Sequence, residues 1–395
     1  MRLIILYFLL FMSHYVTAGS IRFTYDSKKD SLTIYGDGVL EHEHVKNIMR
    51  KYPYTKKVYV GGNINGVGYK VFSDCNNVET IIFSSSVKGN AFLPIDNCKK
   101  LSKVVLPENY EFISCFVANC PKLESFVVPD SVKVIKELSS NCPFKNLHIG
   151  KSVVEIVGDY GANSEHLTSI SVTPGNKLFF SKDGVLYSYS ENTQRYSAKD
   201  ADKGNVPVLV VYPPEKKDTT FYFNYPQIRS INNKYIKEIC LGKEFRQWGE
   251  CNMPSLKRIL VDEENDFFVV QENFLLDKGK TNVIAYASGI SERNCELPPG
   301  VEGVGAYSFY ACQFDTLIFP KSITRIAEKA VCSCDKLRYI EMNWQNPQDV
   351  VLDSNPFYEI ETDKIIMKVP EGTKELYDDL FNRRLGNRFM VIERK

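Results

Sequence analysis

Eleven cysteines and five histidines are the side chains of this 395-residue sequence best suited to metal or nucleophilic chemistry. His14 falls in the leader discussed below, so His42, His44, His148 and His166 remain. Glu41-His-Glu-His44 is the one cluster of ligand-type residues. On a strand, His-x-His would turn both rings to one side. The alternative, and the preferred reading, is a solvated polar turn. Gly36-Asp-Gly38 and Gly61-Gly62 have the look of phosphate-cradling loops. Neither leads into the helix and Lys-Ser/Thr of a P-loop, so both are expected to be turns. No Gly-x-Ser-x-Gly elbow occurs, and carboxylate pairs such as Asp378-Asp379 lie in polar stretches where tuning by burial is difficult. The expectation is therefore no catalytic residue, no metal and no cofactor.

The cysteines are informative through their spacing. Asp74-Cys75, Asn97-Cys98, Asn119-Cys120 and Asn141-Cys142 recur at intervals of 23, 22 and 22 residues, and the next step lands on Asn163-Ser164. Cys312 and Cys334 are again 22 apart. A column of this kind reads as small buried side chains lining the turn of successive coils. Stacked coils lie about 4.8 Å apart, within disulfide reach, but parallel side-chain directions and the Ser at 164 favour free thiols. Cys115, Cys240, Cys251, Cys295 and Cys332 lie off the column and are the better disulfide candidates.

What positions the cysteines is a repeated segment. Apolar-x-x-apolar-x-apolar follows each marker, as in Val78-Ile81-Phe83, Leu101-Val104-Leu106, Leu123-Phe126-Val128, Phe144-Leu147-Ile149 and Leu167-Ile170-Val172. Later copies are Ile236-Ile239-Leu241, Leu256-Ile259-Val261, Phe314-Leu317-Phe319 and Leu337-Ile340-Met342. The last two apolar positions alternate with outward ones, as a short strand requires. A second apolar pair follows in several copies, as in Val132/Ile135, Val153/Ile156, Val301/Val304 and Ile323/Ile326, and Phe72, Val117, Phe309 and Val331 stand three before a cysteine. One such unit cannot bury its own apolar edge, so copies must stack with strands in parallel.

Cys120-Pro-Lys-Leu-Glu-Ser-Phe-Val-Val-Pro-Asp-Ser-Val-Lys-Val-Ile135 resembles the BspA-like leucine-rich repeat nearly position for position. The expected fold is a mainly β repeat solenoid with short helical turns, a parallel sheet, inserted β-hairpins and terminal caps. The expected organisation is a signal peptide (1–18), an N-terminal β cap (19–50), coils (51–175), a β-rich insert (176–235), coils (236–261), a second insert (262–300), coils (301–362) and a C-terminal strand–helix cap (363–395). The inserts are read from Asn176-Lys-Leu-Phe-Phe, Gly184-Val-Leu-Tyr187 and Val208-Leu-Val-Val-Tyr212, matched in order by Asn265-Asp-Phe-Phe, Asn273-Phe-Leu-Leu276 and Asn282-Val-Ile-Ala-Tyr286. Ser188 to Asn205 reads as a mobile hairpin tip. In the closing cap, Thr373 is expected to cap a helix with Leu376, Tyr377, Leu380 and Phe381 on one face and Gly386 as its stop.

Met1-Arg2, the apolar run Leu3 to Met12 and Val16-Thr-Ala18 read as a secretory signal cleaved after Ala18. Ten apolar residues span only about 15 Å of the roughly 30 Å a membrane core demands. The mature chain is expected to be secreted or held at a cell surface, with no membrane span. Lys+Arg 49 against Asp+Glu 48 leaves a formal charge of +1, which argues against nucleic acid as the partner. With 44% hydrophobic and 25% charged residues, disorder and a multi-span membrane protein are also set aside.

Alternation turns one set of strand residues outward. The first column runs Thr80, Lys103, Ser125, Asn146, Ser169, Glu238, Arg258, Thr316, Tyr339; its neighbour runs Ile82, Val105, Val127, His148, Ser171, Cys240, Leu260, Ile318, Glu341. Thr80, Ile82, Lys103, Val105, Ser125, Val127, Asn146 and His148 form the candidate binding surface, with Ile82, Val105 and Val127 as an apolar stripe. The stripe could equally be covered by an insert or serve only sheet pairing. The family resemblance implies an adhesin that contacts host proteins or cells. Competing readings are a self-associating matrix protein and a carbohydrate-active enzyme.

Overall fold

The computed structural model describes residues 21–88, 92–157, 165–189 and 207–394. The leader, the Asn163-Ser164 marker and nearly all of the Ser188–Asn205 tip lie outside the described residues. The chain divides into two compact units, Met1–Asn205 and Val206–Lys395. Each is a parallel β-solenoid.

The first unit opens on an antiparallel hairpin, Ile21–Asp26 with Ser31–Leu40. Its second strand starts the parallel stack, pairing with Lys57–Val60, which pairs with Thr80–Phe83 and then Lys103–Val105. Ser125–Val127, Asn146–Ile149 and Ser169–Val172 form a further parallel run. A second sheet carries the other side of each coil, in the order Glu155–Ile156, Val134–Ser140, Phe112–Ala118, Ile95–Asp96, Phe72–Ser73. The core lies between the two sheets. Ile81, Phe126, Leu123, Val132, Ile135, Phe72 and Val117 are each 2% exposed or less, as the apolar repeat requires. Burying one such side chain is worth about 1.5–3 kcal/mol.

The marker before each cysteine has a conformational cause. Asp74, Asn97, Asn119 and Asn141 adopt φ of 56°, 52°, 53° and 54°. Asn and Asp tolerate this left-handed region better than other residues with a Cβ. Their side chains also form a ladder from coil to coil. Asn119 Nδ2 donates to Asp96 Oδ1 at 2.8 Å, and Asn141 Nδ2 donates to Asn119 Oδ1 at 3.0 Å. Lys70 completes it with an ion pair to buried Asp96 at 2.7 Å. The cysteine that follows each marker turns inward, and its thiol donates to main-chain carbonyls: Cys98 to Phe72 at 3.1 Å and Cys120 to Ala118 at 3.2 Å. All eleven cysteines are free. The off-column set, Cys115, Cys240, Cys251, Cys295 and Cys332, thus forms no disulfide in this structure.

In the second unit Thr220–Phe223, Glu238–Leu241 and Arg258–Val261 pair in parallel, as do Asn294–Glu296, Thr316–Phe319, Tyr339–Met342, Ile366–Val369 and Met390–Glu393. Thr220–Phe223 is therefore a coil strand within a stretch expected to be insert; it turns Phe221 and Phe223 inward but has Asp218 where the copies place their first apolar residue. The hairpins themselves are present. Phe179–Lys182 pairs antiparallel with Val185–Ser188 in the first unit, and Phe268–Gln271, Phe274–Asp277 and Asn282–Tyr286 form an antiparallel meander in the second. One device starts both. Asn176 and Asn265 each donate Nδ2 to carbonyls of the preceding coil, while Oδ1 accepts the N–H groups two and three residues ahead.

Local expectations at both caps are corrected. Residues His42–Lys51 form a helix, so the opening cap is not purely β. Glu41-His-Glu-His44 is neither strand nor turn but the start of that helix, where Val45 and Ile48 pack inward. Gly36-Asp37-Gly38 lies inside the strand Ser31–Leu40 with φ of 130° and 110° at its glycines. A Cβ on Gly62 would come within 2.7 Å of Gly36 N, so close backbone approach explains this pair. At the far end, helix Lys374–Tyr377 widens into π-type turns over Asp378–Arg384. Tyr377 and Phe381 are fully buried, whereas Leu376 is exposed. Thr373 Oγ1 donates to Pro370 O at 2.7 Å and does not cap the helix.

Candidate functional site

The outward columns of the first unit place the candidate residues on one face of its parallel strands. Thr80 stands opposite Lys103, and Ile82 opposite Val105. Ser125 stands opposite Asn146, and Val127 opposite His148. The hydrogen-bonded ladder is interrupted between these two groups, although the strands Lys103–Val105 and Ser125–Val127 stay within 8 Å by Cα. Lys103, Ser125, Asn146 and Val127 are exposed; Thr80, Ile82, Val105 and His148 are half-buried. Val127 is the most open of the stripe at 55%.

Two further residues belong to this face. Lys57 stands opposite Thr80 and Tyr59 opposite Ile82. Tyr59 is 40% exposed and lengthens the stripe to Tyr59, Ile82, Val105 and Val127. The alternation Lys57-Val-Tyr-Val60 carries the signal, but Thr55 stands where the repeat places its first apolar residue.

A polar network closes the stripe. His148 Nδ1 lies 2.9 Å from Ser171 Oγ and Nε2 lies 2.9 Å from Thr173 Oγ1. A neutral imidazole has one donor and one acceptor nitrogen, so one of these hydroxyls accepts from the ring and the other donates to it. The Lys151 N–H on Asp130, with the Thr173 hydroxyl, holds that carboxyl below its ordinary value. A serine hydroxyl hydrogen-bonded to an oriented imidazole is the first element of nucleophilic catalysis. The nearby main-chain donors are occupied, Val172 N by Ser181 Oγ and Thr173 N by Ile149 O, which leaves them unable to serve an oxyanion. The arrangement instead fixes the ring beside Val127.

The other candidates do not converge on a ligand. His42 Nδ1 donates to Lys70 O at 2.7 Å, while His44 Nδ1 accepts from Glu41 N at 3.1 Å, so the two rings are committed to different partners. Among the described residues no group of three or more metal-type side chains is assembled. Burial pushes the Cys115 and Cys332 thiols up to about 11 and the Cys312 thiol well above its usual range, the reverse of an activated nucleophile. No helix among the described residues is long and apolar enough to cross a membrane.

Six copies of the BspA type leucine-rich repeat region match residues 47–168 and 284–386. The chain belongs to the BspA-type leucine-rich-repeat family. Its matched copies include every first-unit strand of the candidate face except Ser31–Leu40 and Ser169–Val172. Among solved structures, this repeat chain is similar to a leucine-rich repeat protein from Eubacterium ventriosum, at 17% identity over 88% of this chain and 94% of that one, with a TM-score of 0.47. It is also similar to the pneumococcal vaccine antigen PcpA, at 15% identity over 97% and 99% of the two chains (TM-score 0.41). A leucine-rich repeat protein from Bacteroides ovatus aligns at 15% identity over 96% and 100% (TM-score 0.37). No curated protein matches.

Proposed function

We propose that this protein is an extracellular binding protein, an adhesin that engages proteins of a host surface or matrix through the outward strand face of its first unit. The observation that carries this reading is the stripe Tyr59, Ile82, Val105 and Val127, partly exposed on successive coils and flanked by polar columns. Apolar side chains aligned on a sheet face in this way suit a protein contact. The leader-like segment supports export. Ten of the eleven cysteines are buried, and burial protects free thiols in an oxidising compartment.

The test is surface plasmon resonance of the mature chain against a panel of extracellular matrix proteins, beside cell-adhesion counts on coated plates. Val105→Asp combined with Val127→Asp should lower affinity at least about tenfold, the scale of one or two lost hot-spot contacts. The far-ultraviolet spectrum should not change. Equal binding by the double variant and the parent would remove the face from the function.

A further inference from the structure

The charges on the two units' strand faces are arranged differently. In the second unit the outward columns carry both signs: Glu238 pairs with Arg258 at 3.1 Å and Glu341 with Lys368 at 2.8 Å, and Glu296 stands exposed opposite Ile318. In the first unit, the outward columns running from Ser31 to Ser169 and from Thr33 to Ser171 contain no Asp or Glu. They do contain Lys57 and Lys103, both exposed, two coils apart on either side of Thr80. Neither lysine makes an ion pair or a side-chain hydrogen bond among the described residues.

No rim carboxylate forms an ion pair with either lysine among the described residues. Asp30 is engaged by Lys56 at 2.9 Å and Glu124 by Lys145 at 2.7 Å. Asp130 accepts the Lys151 N–H at 2.7 Å. Glu79 and Glu108 are further exposed rim carboxylates beside these strands, and neither forms an ion pair with Lys57 or Lys103. Two unmatched cations, roughly 10 Å apart at two strand spacings, therefore border the apolar stripe along one side.

We propose that the occupant of this face is a polypeptide segment in which apolar side chains alternate with carboxylates, the apolar groups seated on Tyr59–Val127 and the carboxylates on Lys57 and Lys103. The proposal rests on the binding role given above and adds the partner's chemistry. Complementary charge selects the partner and speeds encounter, while the stripe supplies the desolvated centre. A purely anionic partner would leave the stripe uncovered. A purely apolar one would leave the lysines unused.

The probes are three fluorescein-labelled peptides of equal length with strictly alternating sequences, Glu-Leu-Glu, Lys-Leu-Lys and Ser-Leu-Ser continued in the same alternation, with poly-glutamate and heparin as polyanion controls. Fluorescence anisotropy with the full chain should rank Glu-Leu-Glu first, at least about tenfold tighter than Lys-Leu-Lys. Lys57→Glu with Lys103→Glu should reverse that order, and raising the salt to about 0.5 M should narrow the gap.

No binding by the Glu-Leu-Glu peptide, or an unchanged ranking in the lysine variant, overturns the proposal. So does poly-glutamate or heparin binding as tightly as Glu-Leu-Glu, which would point to a polyanion or a sulfated glycan. If Ser-Leu-Ser binds equally well and loses affinity only on Val105→Asp with Val127→Asp, the face binds but its partner is not acidic. That result separates failure of this proposal from failure of the function itself.

Discussion

Replacing Asn119 tests why an asparagine precedes the ladder cysteine. Asn119→Ala keeps a Cβ at φ 53° and removes both ladder bonds, the 2.8 Å donation to Asp96 and the 3.0 Å acceptance from Asn141. A left-handed residue with a Cβ costs about 1–2 kcal/mol, of which asparagine's local hydrogen bonding recovers part. The bond to Asp96 is charge-assisted and part-buried, worth about 1 kcal/mol, and the exposed bond to Asn141 is worth about 0.5 kcal/mol. The expected loss is about 2–3 kcal/mol. Asn119→Gly removes the same bonds without the steric term, so it should cost about 1 kcal/mol less than the alanine variant despite glycine's greater entropy loss. Chemical denaturation gives the global shift. Amide exchange resolved by mass spectrometry should show faster exchange in residues 95–120, because repeat stacks yield locally. If glycine proves as damaging as alanine, conformation is not what selects asparagine; if alanine is neutral, the ladder contributes no stability.

Two further outcomes follow from the same coils. Iodoacetamide at pH 8 should label only Cys240, the one half-buried thiol, while the denatured chain should take up eleven labels and intact mass should not change on reduction; several labels in the native state would contradict the buried column. Asp96 is held below the ordinary carboxylate range because its bonds to Lys70 and Asn119 outweigh the opposing effect of burial. Its contribution is present above the unfolded value near 4 and disappears as pH falls through the lower folded value, so the parent should lose more stability than Asp96→Asn on acidification below about pH 4. Parallel acid-denaturation curves would refute that.

The coil strands were legible because three signals coincide in one period. Val78, Leu101 and Leu123 set the inward turn, Ile81, Val104 and Phe126 the strand, and Cys75, Cys98 and Cys120 the small buried corner. Each position is buried for the reason its spacing implies. Legibility failed where a coil lacks one of those signals. Thr220–Phe223 and Lys57–Val60 have the strand alternation but carry Asp218 and Thr55 where the copies place their first apolar residue, so the repeat pattern puts the first in an insert and misses the second. Glu41-His-Glu-His44 was misread for a different reason. Its polar letters fit a turn, and only Val45 and Ile48, reached one helical turn later, reveal the packed face that makes it helical.

The candidate face was harder to read because outward positions obey no packing rule. Inward residues are constrained by neighbours on every side, so their identity repeats; outward ones are free to vary from coil to coil. The absence of constraint is itself usable. Where a parallel strand face is free to carry any charge, natural surfaces mix signs, as Glu238 with Arg258 does in the second unit. A run of coils that keeps two lysines unmatched and excludes every carboxylate from both columns leaves its electrostatic requirement to be met from outside. In the proposed contact the stripe supplies the apolar centre, and the unmatched lysines select an acidic partner.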